Sequence, residues 1–135
     1  MPRPQETRRR IVLVVDDEPA ILSITTNILG RRDYEIWTAG NGAEALEIAR
    51  GRERDITILL SDVVMPGITG PDLAERLLQV NPRMHVLFMS GWDEGVIARY
   101  GAFRRSIRTI LKPFTPDGLM DMIETVLQDP VEQKA

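Results

Sequence analysis

Asp16-Asp17, Asp62, Ser90 and Lys112 each stand behind a short apolar run: IVLVV, ITILLS, MHVLFM and IRTIL. Such a run, bounded by turn residues, reads as a buried strand. In an open parallel sheet the carboxyl ends of the strands share one edge, and that edge is where ligands bind. Taken singly, each residue has an ordinary reading. Asp16 or Asp17 caps a helix, Asp62 opens a turn before Pro66, Ser90 is a turn hydroxyl and Lys112 is a solvated cation. Those readings do not explain why three acids, one hydroxyl and the only lysine within the folded region fall on one edge. Phosphoryl handling does. Three close carboxylates repel one another and favour a hard divalent cation, Mg²⁺ or Mn²⁺. Asp62 then serves as nucleophile toward a phosphoryl donor, forming an acyl phosphate. The cation, Lys112 and the Ser90 hydroxyl meet the equatorial oxygens of the group in transfer.

The elements that must position these groups follow in order. Ile11–Val15 is five consecutive apolar residues, four of them β-branched, as suits a central strand buried on both faces. Pro19, behind Asp16-Asp17-Glu18, fits the first turn of a helix carrying Ile21, Leu22, Ile24, Ile28 and Leu29 at helical spacing to Gly30. Tyr34–Ala39 alternates as a second strand, and Gly40-Asn41-Gly42 turns into a helix with Ala45, Leu46 and Ala49 inward. The strand Ile56–Ser61 ends at Asp62, and Pro66-Gly67 breaks the chain. Pro71-Asp72 opens a helix with Leu73, Leu77, Leu78 and Val80 on its apolar side, closed by Asn81-Pro82. Met84–Met89 is a fourth strand, residues 93 to 103 a short helix, and Ile107–Leu111 a fifth strand. Thr115-Pro116-Asp117 caps a last helix bearing Leu119, Met120, Met122, Ile123, Val126 and Leu127. Five strands alternating with five helices predict parallel pairing through right-handed crossovers. The expected fold class is α/β, a doubly wound five-stranded parallel sheet with helices on both faces.

The 135 residues make one domain with a core of ordinary size, and 43% hydrophobic content is globular. The expected boundaries are a disordered basic lead-in over 1–9, a folded region over 10–128 and a polar tail over 129–135. Absence of cysteine excludes a disulfide framework, a zinc–thiolate cluster and a thiol nucleophile. No apolar run approaches the roughly 20 residues of a membrane span, and MPRPQETRRR has no apolar signal core. A cytoplasmic location is expected. A net charge of -3 gives no whole-surface case for nucleic acid, and Arg8-Arg9-Arg10 alone is weak evidence for it. His85, the only histidine, opens strand four at the edge opposite the acids and reads as structural or exposed.

The ordered set IVLVVDDEP, LLSDVVMPGITG, LFMSGW and ILKPF closely resembles the receiver domain of two-component response regulators, over about residues 10 to 128. MSGW-x-x-x-VI and KPFTPDGL are similar to receivers attached to hybrid histidine kinases. The resemblance implies a flavodoxin-like sheet of order 2-1-3-4-5. It implies that Asp62 accepts a phosphoryl group from a histidine kinase phosphohistidine. Asp17 and Asp62 would ligate Mg²⁺ by side chain, Asp16 mainly through water, and Val64 through its backbone carbonyl. Ser90 would rearrange to bond the phosphoryl group, Lys112 would pair with it, and the Lys112–Pro113 bond would be cis. Thr109 stands where the family often has Tyr or Phe, so an aromatic flip does not carry over. Phe103 and Tyr100 read as core residues, leaving the Ser90–Trp92 loop and the helix after it to report phosphorylation. Val64 and Trp92 flank the site without side-chain hydrogen bonds to position a water, so slow loss of the phosphoryl group is expected.

Two other readings compete with this switch, which is not a metabolite-processing enzyme. One is a small aspartate-nucleophile phosphatase, but those enzymes usually carry the nucleophile after the first strand in a D-x-D pattern with a cap insertion. The other is a non-phosphorylated interaction module of the same fold, which would fail to bind beryllofluoride at Asp62. The expected partners are a histidine kinase or histidine phosphotransfer protein and a downstream protein target. A homodimer would form through the face of the last two helices and strand five.

Overall fold

A computed structural model describes residues 9–91 and 108–128. Five strands form one parallel sheet: β1 (Arg10–Val15), β2 (Tyr34–Ala39), β3 (Ile56–Asp62), β4 (His85–Ser90) and β5 (Arg108–Leu111), in the order β2-β1-β3-β4-β5. Four helices are described: α1 (Pro19–Leu29), α2 (Gly42–Ala49), α3 (Gly70–Val80) and α4 (Pro116–Gln128). The expected strand order and the helices on both faces are both present. The expected helix over 93–103, together with Trp92, Tyr100, Phe103 and Ile107, lies outside the described residues.

Alternation along the strands builds two cores. Leu13 and Val15 of β1, Leu59 of β3 and Phe88 of β4 point to one side, where Ala45 and Ala49 of α2 and Leu73, Ala74 and Leu77 of α3 cover them. Val12, Val14, Ile58, Leu60, Leu87 and Met89 point to the other, against Ile28 and Leu29 of α1 and Leu119, Ile123 and Val126 of α4. Residues on both faces are fully buried, which is why the central strands read as unbroken apolar runs rather than alternating ones. Of the helical positions expected inward, Ile24 and Val80 are corrected: they are 48% and 41% exposed, because each lies at the margin of its helix's apolar stripe.

Local chemistry sets the element ends. The Asn41 side chain accepts from Glu44 N at the start of α2, and Glu44 Oε1 accepts from Gly40 N, satisfying two otherwise orphaned donors. Thr69 caps α3 by accepting from Asp72 N, one residue before the helix start. The β1–β3 register shifts between Ile11 and Val12, where Ile11 N donates to the Thr57 hydroxyl. A 3₁₀ turn, Glu53–Asp55, precedes β3, formed by three charged residues that carry no apolar period to signal it. Asn81, 7% exposed, pins that turn: its Nδ2 donates to both Glu53 O and Ile56 O at 2.9 Å.

Asn81→Leu keeps the branched side-chain shape but removes the donor from one buried and one partly buried carbonyl, which should cost roughly 2–3 kcal/mol of unfolding free energy. Urea denaturation checks this; a loss below about 0.5 kcal/mol would mean that water replaces the side chain.

Candidate functional site

The carboxyl edge of the sheet is fixed by backbone before any side chain is considered. Asp62 and Ser90 are the last residues of β3 and β4, Asp16 directly follows β1, and Lys112 directly follows β5. Lys112 N donates to Ser90 O at 2.8 Å, Val63 N to Met89 O at 3.2 Å and Asp16 N to Ala39 O at 3.2 Å, so neighbouring strand ends are tied beyond the ladders. The Lys112–Pro113 peptide is cis, as the resemblance implied.

On that edge the Lys112 ammonium sits among carboxylates. Its Nζ lies 2.9 Å from Asp16 Oδ2, 3.4 Å from Asp62 Oδ2 and 3.6 Å from Glu18 Oε1. Asp16 is fully buried; its Oδ1 accepts from Glu18 N at 2.9 Å, and its Oδ2 receives no aligned hydrogen bond among the described residues. Asp62 Oδ1 accepts from Val63 N at 2.9 Å. One carboxylate oxygen from each of Asp16, Asp17 and Asp62 lies within 4.8 Å of the others, a spacing and a hard donor set suited to a small divalent cation. Asp17 is exposed, so the cluster runs from a buried acid to an open one. Ser90 is buried at the same rim, 3% exposed, and Val64 faces solvent at 58%. His85 is half-buried at the start of β4, on the opposite edge.

Burial and the Asp16 charge push the Asp62 carboxyl up from 3.8 to about 6, against the opposing pull of Lys112 and the Val63 N–H. Burial on its own depresses Lys112; its 2.9 Å ion-pair contact with Asp16 and the charges of Asp62 and Asp16 outweigh that and hold its pKa above the ordinary value. Asp62 is therefore an anion that its surroundings penalise, beside a cation that they retain.

Two residues that position Asp62 were not singled out in the sequence. The Ser61 hydroxyl donates to Asp62 O at 2.8 Å. Gly70 N donates to Val63 O at 2.8 Å, and a Cβ at position 70 would overlap the Asp62 carbonyl oxygen. Only glycine lets α3 start this close to the end of β3. Its signal was a Gly-Pro pair at a helix start, which reads equally well as an ordinary turn. The loop reaches Gly70 through Gly67, whose φ of 82° a side chain would strain.

Residues 12–124 match the response regulator receiver domain. The chain belongs to that family. It is 33% identical over 117 residues to the sensor kinase CckA of Brucella abortus, covering 87% of this chain and 12% of that protein. The crystal structure of the receiver domain of hybrid histidine kinase CckA superposes with a TM-score of 0.73 at 33% identity, over 87% of this chain and 99% of that one. The chemotaxis protein CheY4 of Vibrio cholerae gives a TM-score of 0.79 at 26% identity, over 88% and 99%. The chain spans 12% to 49% of the length of three curated relatives. The receiver shares its sheet order and helical layers with these structures, and its acids, serine and lysine lie on one edge of the sheet as expected.

Because the folded-state value of Asp62 lies above 3.8, the native state holds an extra proton between 3.8 and about 6, and stability falls as pH rises through that window. Above it the charged carboxylate costs the cation-free fold on the order of 1–3 kcal/mol. Asp62→Asn should therefore be more stable than wild type by that amount at about pH 8 in chelator, and equal to it near pH 4; urea denaturation at both values checks the sign. Gly70→Ala should lose roughly 2–4 kcal/mol by the same measurement, because backbone rather than a flexible side chain must yield.

Proposed function

We propose that this receiver is a phosphoacceptor switch in a two-component phosphorelay, with Asp62 as the accepting residue. The observation that carries the proposal is one lysine ammonium shared by Asp16 and Asp62 at 2.9 and 3.4 Å, at the mouth of a three-carboxylate cluster. An Asp62 carboxylate oxygen attacks the phosphorus of a phosphohistidine. An oxygen–phosphorus bond forms, the phosphorus–nitrogen bond breaks, and the departing imidazole takes a proton from solvent. Asp16, Asp17, Asp62 and the Val64 carbonyl would hold Mg²⁺ or Mn²⁺, which supplies charge neutralisation on the phosphoryl oxygens. Lys112 pairs with those oxygens once Asp62 has spent its charge, and the Ser90 hydroxyl donates to one of them. The chain turns over no metabolite; its chemistry is its own phosphorylation and the loss of that group.

The remaining assignments rest on the same reading. The receiver occupies residues 10–128, with 1–9 as lead-in and 129–135 as tail. Its partners are a histidine kinase or histidine phosphotransfer protein and a downstream protein, in the cytoplasm, and a dimer would use the face of α4, β5 and the segment between β4 and β5. Among the described residues no helix is long and apolar enough to cross a membrane. A phosphatase would carry its nucleophile after β1 in a D-x-D pattern, where this chain has Asp16-Asp17-Glu18; no observation favours it.

Phosphotransfer from a panel of histidine kinases should load wild type once per chain and leave Asp62→Asn unlabelled. Loading of the Asn variant by the same kinase would remove Asp62 from the role. With Val64 unable to position a water, the phosphoryl group should persist for minutes or longer in Mg²⁺. Loss within seconds would contradict that shielding.

A further inference from the structure

Glu18 is the third carboxylate on Lys112, and phosphoryl acceptance by Asp62 gives it no task. It is the N-cap residue of α1, yet its side chain makes no capping hydrogen bond. An acid at a helix N-terminus is ordinarily explained by the helix dipole. That explanation does not account for the direction of this one, whose Oε1 sits 3.6 Å from Lys112 Nζ. The backbone beneath it is fixed by the site itself, because Glu18 N donates to Asp16 Oδ1 at 2.9 Å. Asp16 thus holds Glu18 with one oxygen and faces Lys112 with the other.

We propose that Glu18 is a positioning residue that receives the Lys112 ammonium when a divalent cation is bound by the carboxylate cluster. This rests on the cation-binding reading of Asp16, Asp17 and Asp62. The ammonium occupies the approach to Asp16 Oδ2 and Asp62 Oδ2, two of the carboxylate groups within the 4.8 Å cluster. Two cations cannot share oxygens this close without strong repulsion, so the ammonium must withdraw. The lysine side chain is only 14% exposed, and an unpaired charge there is costly. Glu18 is 64% exposed and Asp16 not at all, so Glu18 marks the solvent side of the lysine's reach. Withdrawing toward Glu18 keeps the ammonium paired and leaves it a short movement from the oxygens of a phosphorylated Asp62.

The test is a double-mutant cycle read as Mg²⁺ affinity by titration calorimetry, on wild type, Glu18→Gln, Lys112→Met and the double variant. Glu18→Gln should weaken Mg²⁺ binding about three- to fivefold when Lys112 is present, and by less than about twofold when it is absent. Lys112→Ala provides a second background if Lys112→Met does not fold. Glu18→Asp, which keeps the charge but shortens its reach, should fall between wild type and Glu18→Gln; wild-type affinity there would mean a charge acting only through space and would overturn the proposal. Equal losses in both backgrounds, or no loss with Lys112 present, would also overturn it. Absence of Mg²⁺ binding by wild type is a separate result, which removes the cation site along with the role of Glu18.

Discussion

A single buried ammonium, Lys112 between Asp16 and Asp62, is the constraint on which the rest of the site depends. Without it, the Asp16 and Asp62 carboxylates would face each other across the rim with their repulsion uncompensated. With it, Asp62 stays only partly compensated, its pKa about 6 rather than 3.8. An anion held at a cost is suited to spending its charge on a bond to phosphorus. The same cost makes the cluster receptive to a divalent cation.

The fold serves that arrangement by making one edge rigid. Two cores clamp the sheet from either side, and the strands that carry Asp62 and Ser90 are buried on both faces. Backbone bonds from Lys112 to Ser90 and from Val63 to Met89 fix the distances between strand ends. Gly70 brings the start of α3 against the Asp62 carbonyl, so the loop carrying Val64 is anchored at both ends. At the opposite edge Asn81 holds the entry to β3 by two carbonyls. Strand β3 is therefore secured at its start and its finish.

The sheet was legible because a parallel strand buried on both faces has to be an apolar run, and IVLVV and, after Thr57, ILL are such runs. The edge was legible for a related reason: a polar residue ending each run can only lie at the sheet's rim. What spacing could not supply was side-chain direction. Glu18 reads as a helix-start acid until its distance to Lys112 is known, and Gly70 as a turn glycine until the Asp62 carbonyl is seen against it. Ile24 and Val80 match the helical repeat yet lie outward, because periodicity marks a stripe and not its margins. Thr109, opposite Phe88 in the β4–β5 register, is half-buried where the family often has an aromatic residue, and no pattern in the sequence says what replaces that residue's movement.

The central claim is that Asp62, among all the carboxylates of this chain, carries the acyl phosphate. Treating the protein with acetyl phosphate and Mg²⁺, then reducing with borohydride, converts a phosphorylated aspartate to homoserine, which peptide sequencing by mass spectrometry locates. Homoserine at position 62 alone, dependent on the cation, is the predicted result. Homoserine at position 16 or 17, or none in a protein that has bound Mg²⁺, would contradict the account.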